Sequence, residues 1–235
     1  MPFSYSEFEH RFRGSYEDVR AEQQKYLRFF EGAPGPVIDL GCGRGEFLSL
    51  LRERGQACYG IDSSPTMLAE AQRHDVDARD EDLLAHLDGL DDGALGGIFM
   101  CQVIEHLRRE DVMEFAELAS RKVAAGGVVV IETLNPQCVF SYAPFTMDLT
   151  HRWPIHPQTL QFLLEAGHFG EFEYLYRQYI PDELLQLPAP LITQGPQEAQ
   201  FADAMRKLQI IIDLAFKNFV YAVSARRLRE PSDEA

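Results

Sequence analysis

The side chains best suited to chemistry lie in two short stretches, QVIEHL and MDLTHRWPIHP. The first places Glu105 beside His106, and the second carries Asp148, His151 and His156. Carboxylates and imidazoles that converge on one spot bind a divalent cation or relay a proton. A histidine with its ordinary pKa near 6.5 also suits a general base at neutral pH. The alternative reading is that Glu105 and His106 only form the polar first turn of the helix that follows.

Six apolar runs in the sequence predict the β-strands that position these residues. They are 36–41, 57–62, 96–101, 127–133, 172–180 and 218–227. Helical spacing of apolar residues separates the first four runs, and this alternation predicts a parallel sheet covered on both faces. QVIEHL follows the third of these runs, and a Pro-, aromatic- and His-rich loop follows the fourth. Both stretches are therefore expected at one edge of the sheet.

VIDLGCGRGEFL is the most informative stretch, because a strand ends at Asp39 and three glycines then form a turn into a helix. Glycine there allows close approach of the backbone to a ligand at the carboxyl edge of the sheet. A bare G-x-G also serves NAD, but an acidic residue before the turn suits a ligand that carries an ammonium group. Asp62, which ends the next run, is placed to accept hydrogen bonds from a ribose diol. In the alternative, the glycines serve only a tight turn and Asp62 only caps a helix.

Together, DLGCGRGEF and the later GID resemble the class I S-adenosylmethionine-dependent methyltransferases. The resemblance implies an α/β, Rossmann-like fold, with a seven-stranded, mostly parallel sheet and helices on both faces. The cofactor-binding residues that it implies are Arg13, Asp39, Gly41, Cys42, Gly43, Asp62, Ser63, Asp82, Leu83 and Gln102. Asp62 would hold the ribose hydroxyls and Asp82 would lie at the adenine, with Asp80 as a competing candidate for that last role.

A second resemblance narrows the substrate. RFRGSYEDVRAEQQKYL, EHL, ETLNPQ and TMDLTHRWPIHPQTLQFLLEAGHF are similar to bacterial methyltransferases of polysaccharide biosynthesis. That group includes the methyltransferase domain of O-antigen chain-terminating enzymes, and methylases of mycobacterial mannose polysaccharides are a related alternative. The similarity covers residues 8 to about 170, and Leu149 departs from it where the pattern has proline. It implies a glycan hydroxyl as the methyl acceptor.

The order of motifs also resembles, more distantly, the small-RNA 3′-end 2′-O-methyltransferases, which hold Mg²⁺ or Mn²⁺. By that resemblance Glu105, His106 and His151 match the metal ligands, while Gln102 stands where the family has its first glutamate. The same three residues are the predicted catalytic set: a histidine acts as base or ligand, and Glu105 orients the imidazole or binds the metal.

Composition limits the partners. The chain has 235 residues, 46% of them hydrophobic, and a formal net charge of −15. An acidic protein is a poor nucleic-acid binder, because phosphate needs a basic surface. No stretch approaches the roughly 20 apolar residues of a membrane span. The beginning lacks a signal-peptide pattern and the cysteines are scattered, so a cytoplasmic protein is expected.

The chain is expected to divide into an N-terminal helical lid (1–34), a cofactor-binding core (35–180), a helical insertion (181–216) and a final strand of the same sheet (217–229). Arg13 would belong to the lid that folds over the cofactor. Aromatic side chains that could stack on sugar rings are Tyr142, Phe145, Trp153 and Tyr179. The long helix before the last strand either caps the sheet or forms a homodimer interface.

The sequence thus predicts an S-adenosylmethionine-dependent O-methyltransferase that acts on a hydroxyl of a sugar or polysaccharide, with or without Mg²⁺ or Mn²⁺. One alternative is a metal-independent small-molecule methyltransferase of the quinone-biosynthesis kind, and another is an RNA-terminal 2′-O-methyltransferase. A cofactor-binding scaffold without an acceptor is the non-enzymatic alternative.

Overall fold

The computed structural model describes residues 5–178, 180–187 and 196–229, and within them the chain forms a seven-stranded sheet. The strands are β1 (Val37–Leu40), β2 (Cys58–Asp62), β3 (Ala78–Asp80), β4 (Leu95–Cys101), β5 (Val123–Leu134), β6 (Phe169–Arg177) and β7 (Val220–Arg227). Their spatial order is β3-β2-β1-β4-β5-β7-β6. Strands β1 to β5 are parallel, whereas β7 is antiparallel to both of its neighbours. The predicted fold class is confirmed.

Ten α-helices are present in the described residues. They are α1 (Tyr5–Phe12), α2 (Tyr16–Gln23), α3 (Glu46–Glu53), α4 (Pro65–Arg73), α5 (Leu83–Gly89), α6 (Arg109–Lys122), α7 (Tyr142–Met147), α8 (Pro157–Ala166), α9 (Asp182–Leu185) and α10 (Pro196–Phe216). Short 3₁₀ helices span Gln24–Phe30, Ile104–His106 and Val139–Ser141. In the part of the chain described, none of the helices combines the length and the apolar character that a bilayer crossing requires.

The sheet has a hydrophobic cluster on each face, and strand alternation assigns residues to them. In β4, Ile98 belongs to one cluster and its neighbour Phe99 to the other. Phe99 packs on the ring of Phe47 from α3, with ring centres 3.8 Å apart, and on Tyr26 and Phe30 from the first 3₁₀ helix. Burial of one such ring contributes about 1.5–3 kcal/mol. These contacts fix the segment that follows α2 and thereby place the N-terminal helices beside the sheet edge.

Three elements differ from the sequence prediction. Residues 15–32 have the apolar spacing of one amphipathic helix, but the α-helix ends at Gln23 and the chain continues as a 3₁₀ helix, which points Tyr26 and Phe30 into the core. β3 has three residues, none of them buried, so it carries no apolar run to detect. The loop 134–157 contains α7 and a 3₁₀ turn.

The strand order reverses between β1 and β4, and in open α/β sheets ligands bind in the crevice at that point.

Candidate active site

A cavity of about 830 Å³ lies at the carboxyl ends of β1, β2, β4 and β5. Its wall includes seven of the ten residues predicted to bind the cofactor: Arg13, Gly41, Asp62, Ser63, Asp82, Leu83 and Gln102. Helices α1 and α2 add Phe8, Phe12 and Val19 to the wall. The N-terminal segment therefore closes one side of the cavity, where the sequence predicts a lid.

The glycine turn after β1 leaves no space for side chains. Gly41 has φ 74°, and a Cβ there would lie 2.3 Å from Cγ2 of Val103, the residue that follows Gln102. Gly43 has φ 55°, and its Cβ would lie 2.4 Å from Nη1 of Arg13. Both backbone angles favour glycine. The turn thus lets the lid and the segment after β4 approach the backbone at van der Waals distance.

Asp62 joins the turn to the start of α4. Its Oδ2 accepts from the backbone N–H of Gly43 at 2.8 Å, and its Oδ1 accepts from the N–H of Ser64 at 2.8 Å. A carboxylate oxygen has two lone-pair directions, so each oxygen retains one acceptor position. Burial raises the pKa of Asp62, while the two backbone hydrogen bonds act in the opposite direction. The carboxylate is therefore held in place on the cavity wall, with an acceptor position for a hydroxyl group left on each oxygen.

The two candidates for the adenine end lie in different environments. Asp82 caps α5 by accepting from the N–H groups of Leu84 at 3.0 Å and Ala85 at 2.9 Å, and it lines the cavity beside Leu83. Asp80 is exposed at the end of β3 and is not among the cavity-lining residues. The geometry favours Asp82.

Asp39, Cys42 and Gly43 do not line the cavity, although the sequence assigns them to the cofactor. Asp39 and Cys42 are 3% and 2% exposed, and the guanidinium of Arg13 covers Gly43. Burial, reinforced by the nearby Glu46, raises the pKa of Asp39 well above its ordinary range. These three residues lie behind the residues that line the cavity, so they can affect a bound cofactor only through the conformation of the glycine turn.

The lid is attached to the turn by charged groups. Arg44 donates from Nε to Glu46 at 2.7 Å and from both Nη atoms to the carbonyl of Gly14 at 3.2 Å. Nη2 of Arg13 lies 3.7 Å from Oε2 of Glu46, which is 1% exposed. A buried carboxylate without a charged partner costs free energy, so Glu46 stabilises the docked position of the segment that carries Arg13. The FRGS segment therefore docks on the residues that begin α3.

His106, Asp148 and His151 form a cluster on the cavity wall, and one ligand atom from each lies within 4.8 Å of the others. Nδ1 of His151 lies 2.9 Å from the carbonyl of Phe145, which only accepts, so the proton is on Nδ1. Thr150 donates to Asp148 at 2.6 Å and can therefore only accept from Nδ1 of His106, at 2.8 Å. Both imidazoles thus carry their lone pair on Nε2, as in histidines that ligate a metal.

The charge state of His106 agrees with this arrangement. Burial, and then the neighbouring ring of His151, lower the pKa of His106 to about 4. The two ring centres are 4.6 Å apart. His106 is consequently uncharged at neutral pH, the form in which an imidazole binds a cation or accepts a proton.

Glu105 is a correction to the predicted metal-binding and catalytic set. Its side chain is 0% exposed, it is absent from the cavity wall, and it does not belong to the cluster of ligand atoms. The reason is local: Ile104–His106 is a 3₁₀ turn, in which successive side chains point about 120° apart. His106 faces the cavity, so Glu105 faces the core. Burial raises the pKa of Glu105 to about 7, and Asp148 provides the carboxylate of the cluster instead.

The remaining predicted residues of this loop lie away from the cavity. His156 caps α8 by accepting from the N–H of Gln158 at 3.2 Å. Tyr142, Phe145 and Trp153 do not line the cavity. Phe145 stacks on His151, and Trp153 packs against the core under the guanidinium of Arg109. Tyr179 lies outside the described residues.

Glu132 and Gln23 are among the cavity-lining residues that the sequence analysis did not single out. Glu132, near the end of β5, accepts from Tyr26, from Gln102 at 3.2 Å and from Cys101 at 3.3 Å. Gln23 of α2 is 4% exposed, and its Oε1 has no hydrogen-bond partner among the described residues. The ETLNPQ stretch could have signalled Glu132, because an acidic residue near the end of a central apolar strand is unusual. Nothing in the sequence marks Gln23, which reaches the cavity through the packing of the lid.

Comparison with known proteins agrees with this geometry. The methyltransferase domain family matches residues 9–178. A solved SAM-dependent methyltransferase from Archaeoglobus fulgidus is 31% identical, with a TM-score of 0.84 over 95% of this chain and 100% of that one. The chain belongs to the methyltransferase domain family. It is an S-adenosylmethionine-dependent enzyme.

Other solved methyltransferases share the fold at lower identity. Geranyl diphosphate C-methyltransferase from Streptomyces coelicolor, solved with Mg²⁺, geranyl diphosphate and S-adenosyl-L-homocysteine, is 18% identical. Its TM-score is 0.60 over 88% of this chain and 77% of that one. Phosphoethanolamine N-methyltransferase 2 from Haemonchus contortus, with S-adenosyl-L-methionine, is 16% identical, with a TM-score of 0.61 over 97% and 61%. Among curated proteins, none matches the chain.

The residues of the methyltransferase fit its methyl donor. Asp62 offers two acceptor positions for a ribose diol, and Asp82 and Leu83 lie further along the same wall. Arg13 lies over the glycine turn, where a guanidinium would bind the donor's carboxylate. S-adenosylmethionine supplies an activated methyl group on a sulfonium sulfur, and the residues of the chain bind and orient it.

Proposed function

We propose that this methyltransferase methylates a hydroxyl group of a sugar or polysaccharide, assisted by a divalent cation that His106, Asp148 and His151 hold. One observation carries the proposal. These three side chains form a cluster of ligand atoms on the wall of the same cavity that Gly41, Asp62 and Asp82 line.

The donor set supports a metal with open coordination positions. Two imidazole nitrogens and one carboxylate oxygen leave room for substrate oxygens on a first-row metal ion. Mg²⁺ prefers oxygen ligands, whereas Mn²⁺ accepts both nitrogen and oxygen, so Mn²⁺ fits these residues better. Two adjacent sugar hydroxyls form a chelating pair that would complete the coordination.

The chemistry requires a hydroxyl oxygen that attacks the methyl carbon while the carbon–sulfur bond breaks and its electron pair returns to sulfur. The hydroxyl proton must pass to a general base or to solvent water, because a neutral sugar hydroxyl is a poor nucleophile. A divalent cation held by His106, Asp148 and His151 would lower the pKa of a hydroxyl bound to it and so favour this proton loss. In both His106 and His151 the hydrogen bond of Nδ1 places the ring proton there, so Nε2 is the nitrogen that would bind the cation.

The polarity of the cavity supports a hydroxyl-rich acceptor. Carboxylates from several elements line it: Asp18, Glu22, Glu81, Asp111 and Glu132. Carboxylates accept hydrogen bonds from hydroxyl groups, but they repel phosphate and offer little to an apolar ring. Together with the net charge of −15, these carboxylates disfavour an RNA terminus. The predicted aromatic stacking on sugar rings gives no support, because Tyr142, Phe145 and Trp153 lie off the wall.

The test is a transfer assay with methyl-labelled donor against mannosides, other glycans, quinol precursors and short RNAs. Each acceptor is assayed with Mn²⁺, with Mg²⁺ and with EDTA. We expect transfer to a glycan hydroxyl that EDTA abolishes and Mn²⁺ restores. Transfer to a quinol precursor that is indifferent to EDTA would replace the proposal with a metal-independent small-molecule enzyme, and selective labelling of an RNA 3′ end would replace it with an RNA methylase.

A further inference from the structure

Arg152 lies on the cavity wall beside the proposed metal ligands. Its backbone N–H donates to the carbonyl of Glu105 at 2.9 Å, and its Nε donates to the carbonyl of His106 at 2.8 Å. These two hydrogen bonds attach the residue to the turn that carries His106. One edge of the guanidinium is therefore fixed in place next to the cluster of His106, Asp148 and His151.

The other edge of the Arg152 guanidinium is available to a ligand. A guanidinium offers its N–H donors in a rigid fork, and Nε uses only one of them. Within the residues that the structure describes, Nη1 and Nη2 of Arg152 have no hydrogen-bond acceptor and no carboxylate in ion-pair contact. The other arginines on the cavity wall differ, because Arg13 lies 3.7 Å from Glu46 and Arg177 pairs with Glu22.

The charges around Arg152 favour an anionic group on this part of the wall. Asp111 also lines the cavity, but Arg108 binds both of its oxygens, from Nη2 at 2.6 Å and from Nε at 2.9 Å. Asp148 belongs to the cluster in which a divalent cation would more than offset its charge. With that cation, the two guanidiniums outweigh the remaining negative charge, and a local excess of positive charge attracts an anion.

The carboxylates that disfavour a polyanion belong to other elements of the wall. Asp18 and Glu22 lie on α2, Glu81 precedes α5 at the adenine end, and Glu132 lies on β5, 3.5 Å from the ammonium group of Lys25. A ligand with a single acidic group can place that group on the guanidinium of the wall and turn its hydroxyls towards these carboxylates. A phosphate monoester carries up to two negative charges, so one carboxylate matches one guanidinium better.

We propose that Arg152 binds a carboxylate of the methyl acceptor, so that the acceptor is a uronic acid sugar. This inference rests on the proposed function, transfer to a sugar hydroxyl with the help of a divalent cation. In a uronate at the end of a glycan, the carboxylate is bonded to the ring carbon next to one that bears a hydroxyl. A planar carboxylate accepts two parallel hydrogen bonds from Nη1 and Nη2, which a single hydroxyl cannot do. Arg152 thereby selects the acidic sugar and fixes which of its hydroxyls faces the methyl group.

The test compares acceptors that differ only in the acidic group. Glycans that end in glucuronate, galacturonate or mannuronate are assayed with methyl-labelled donor and Mn²⁺, beside their carboxyl-reduced forms, in which a CH₂OH group replaces the carboxylate. We expect the wild type to prefer a uronate. Arg152→Gln should lower kcat/KM for that uronate on the order of 10–100-fold, mainly through KM, because hydrogen bonds to a charged group are lost. With the reduced sugar, the same variant should differ from the wild type by less than about threefold.

Binding without turnover provides a second readout. Calorimetric titration of the uronate into protein saturated with S-adenosyl-L-homocysteine and Mn²⁺ should show the same loss of affinity in Arg152→Gln. Arg177→Gln is the matched control, because it removes an arginine of the same wall that is already paired with Glu22. We expect that control to affect the uronate and the reduced sugar to the same extent.

The outcomes separate this inference from the proposed function. Equal use of the uronate and its reduced form by the wild type would overturn the inference and leave transfer to a sugar hydroxyl standing. A loss in Arg152→Gln that falls equally on both acceptors would also overturn it, since Arg152 would then only hold the loop in place. Preferred labelling of a glycan that ends in a sugar phosphate would replace the carboxylate. Absence of transfer to every glycan would refute the proposed function and this inference together.

Discussion

The imidazole rings of His106 and His151 lie 4.6 Å apart, although His106 follows β4 and His151 lies in the loop after β5. Parallel pairing of these two strands brings their carboxyl ends together, with Cys101 opposite Glu132. The loop is then tied back, because Arg152 donates from its backbone N–H to the carbonyl of Glu105 at 2.9 Å and from Nε to the carbonyl of His106 at 2.8 Å. The relative position of the two histidines is thus set by the backbone and does not depend on a bound ion.

Removal of a proposed metal ligand should stop the chemistry and spare the donor. We expect His151→Ala and Asp148→Asn each to lower methyl transfer by about 10²-fold or more, the scale of a lost proton-transfer or cation function. Affinity for S-adenosylmethionine, measured by calorimetry, should change less than about threefold. His156→Ala is the matched control, because that histidine lies in the same loop but only caps α8. Near-normal turnover of either ligand variant would refute the cluster as a catalytic site.

The hydroxyl of Thr150 should affect metal-dependent methyl transfer by fixing the tautomer of His106. Thr150 accepts from Nδ1 of the imidazole only because it donates its own proton to Asp148. Thr150→Val removes this link and frees the ring to adopt the other tautomer, so the Mn²⁺ concentration for half-maximal transfer should rise about 10–100-fold, as for other indirect partners of metal ligands. Thr150→Ser keeps the hydroxyl and should behave as the wild type. Equal behaviour of the valine and serine variants would show that the hydroxyl has no such role.

Asp62 and Asp80 provide a matched pair for the donor site. Asp62→Ala removes the acceptor of two backbone N–H groups and of the ribose hydroxyls, so affinity for S-adenosylmethionine should fall on the order of 10–100-fold. Asp80→Ala changes an exposed carboxylate that does not line the cavity and should leave affinity unaltered. Calorimetric titration of both variants decides the point, and a larger loss with the Asp80 variant would place the ribose elsewhere.

Much of the architecture could be predicted from the sequence because buried strands carry unbroken apolar runs. β1 and β4 are such runs, and the glycine turn between β1 and α3 has a recognisable spacing. β3 could not be found in this way, because its three residues are partly or fully exposed and its only signal is its partner β2. The sequence pattern also gave no means to divide residues 15–32 into an α-helix and a 3₁₀ helix, which is decided by packing of Tyr26 and Phe30 on Phe99.

The site was harder to predict than the fold, since side-chain direction depends on local helix type. Adjacent positions made Glu105 and His106 look like one functional pair, yet a 3₁₀ turn sends one inward and the other into the cavity. Asp148 stood in the same loop as His151, but only the turn at Thr150 brings its carboxylate to His106. Loop conformations of this kind have no periodic sequence pattern from which they could be predicted.

Asp39 should give a pH-dependent stability. Its pKa is raised in the folded protein, mainly by burial and then by Glu46, so the folded state holds a proton that the unfolded chain has released. As the pH rises above the pKa of about 3.9 in the unfolded chain, the free energy of unfolding therefore falls. It stops falling once the pH exceeds the raised pKa of Asp39 in the folded protein. Asp39→Asn removes this penalty: in urea unfolding without cofactor, the variant should be more stable than the wild type at pH 8 and nearly equal to it at pH 4. A stability difference that does not grow with pH would contradict a buried, costly carboxylate.

Gly41 should tolerate no side chain, for two separable reasons. Alanine there must adopt φ 74° and place its Cβ 2.3 Å from Val103, so Gly41→Ala should lower the free energy of unfolding by about 1–3 kcal/mol and weaken donor binding. Adding Val103→Ala removes the contact but not the backbone strain, so it should restore only part of the loss. Gly89→Ala is the control, because a Cβ at Gly89 meets nothing within 4 Å and the backbone there is not left-handed. Urea unfolding and calorimetry on the three proteins separate strain from contact. A Gly41 variant as stable as the Gly89 variant would mean that the turn adjusts, and that its fit against Val103 does not shape the donor site.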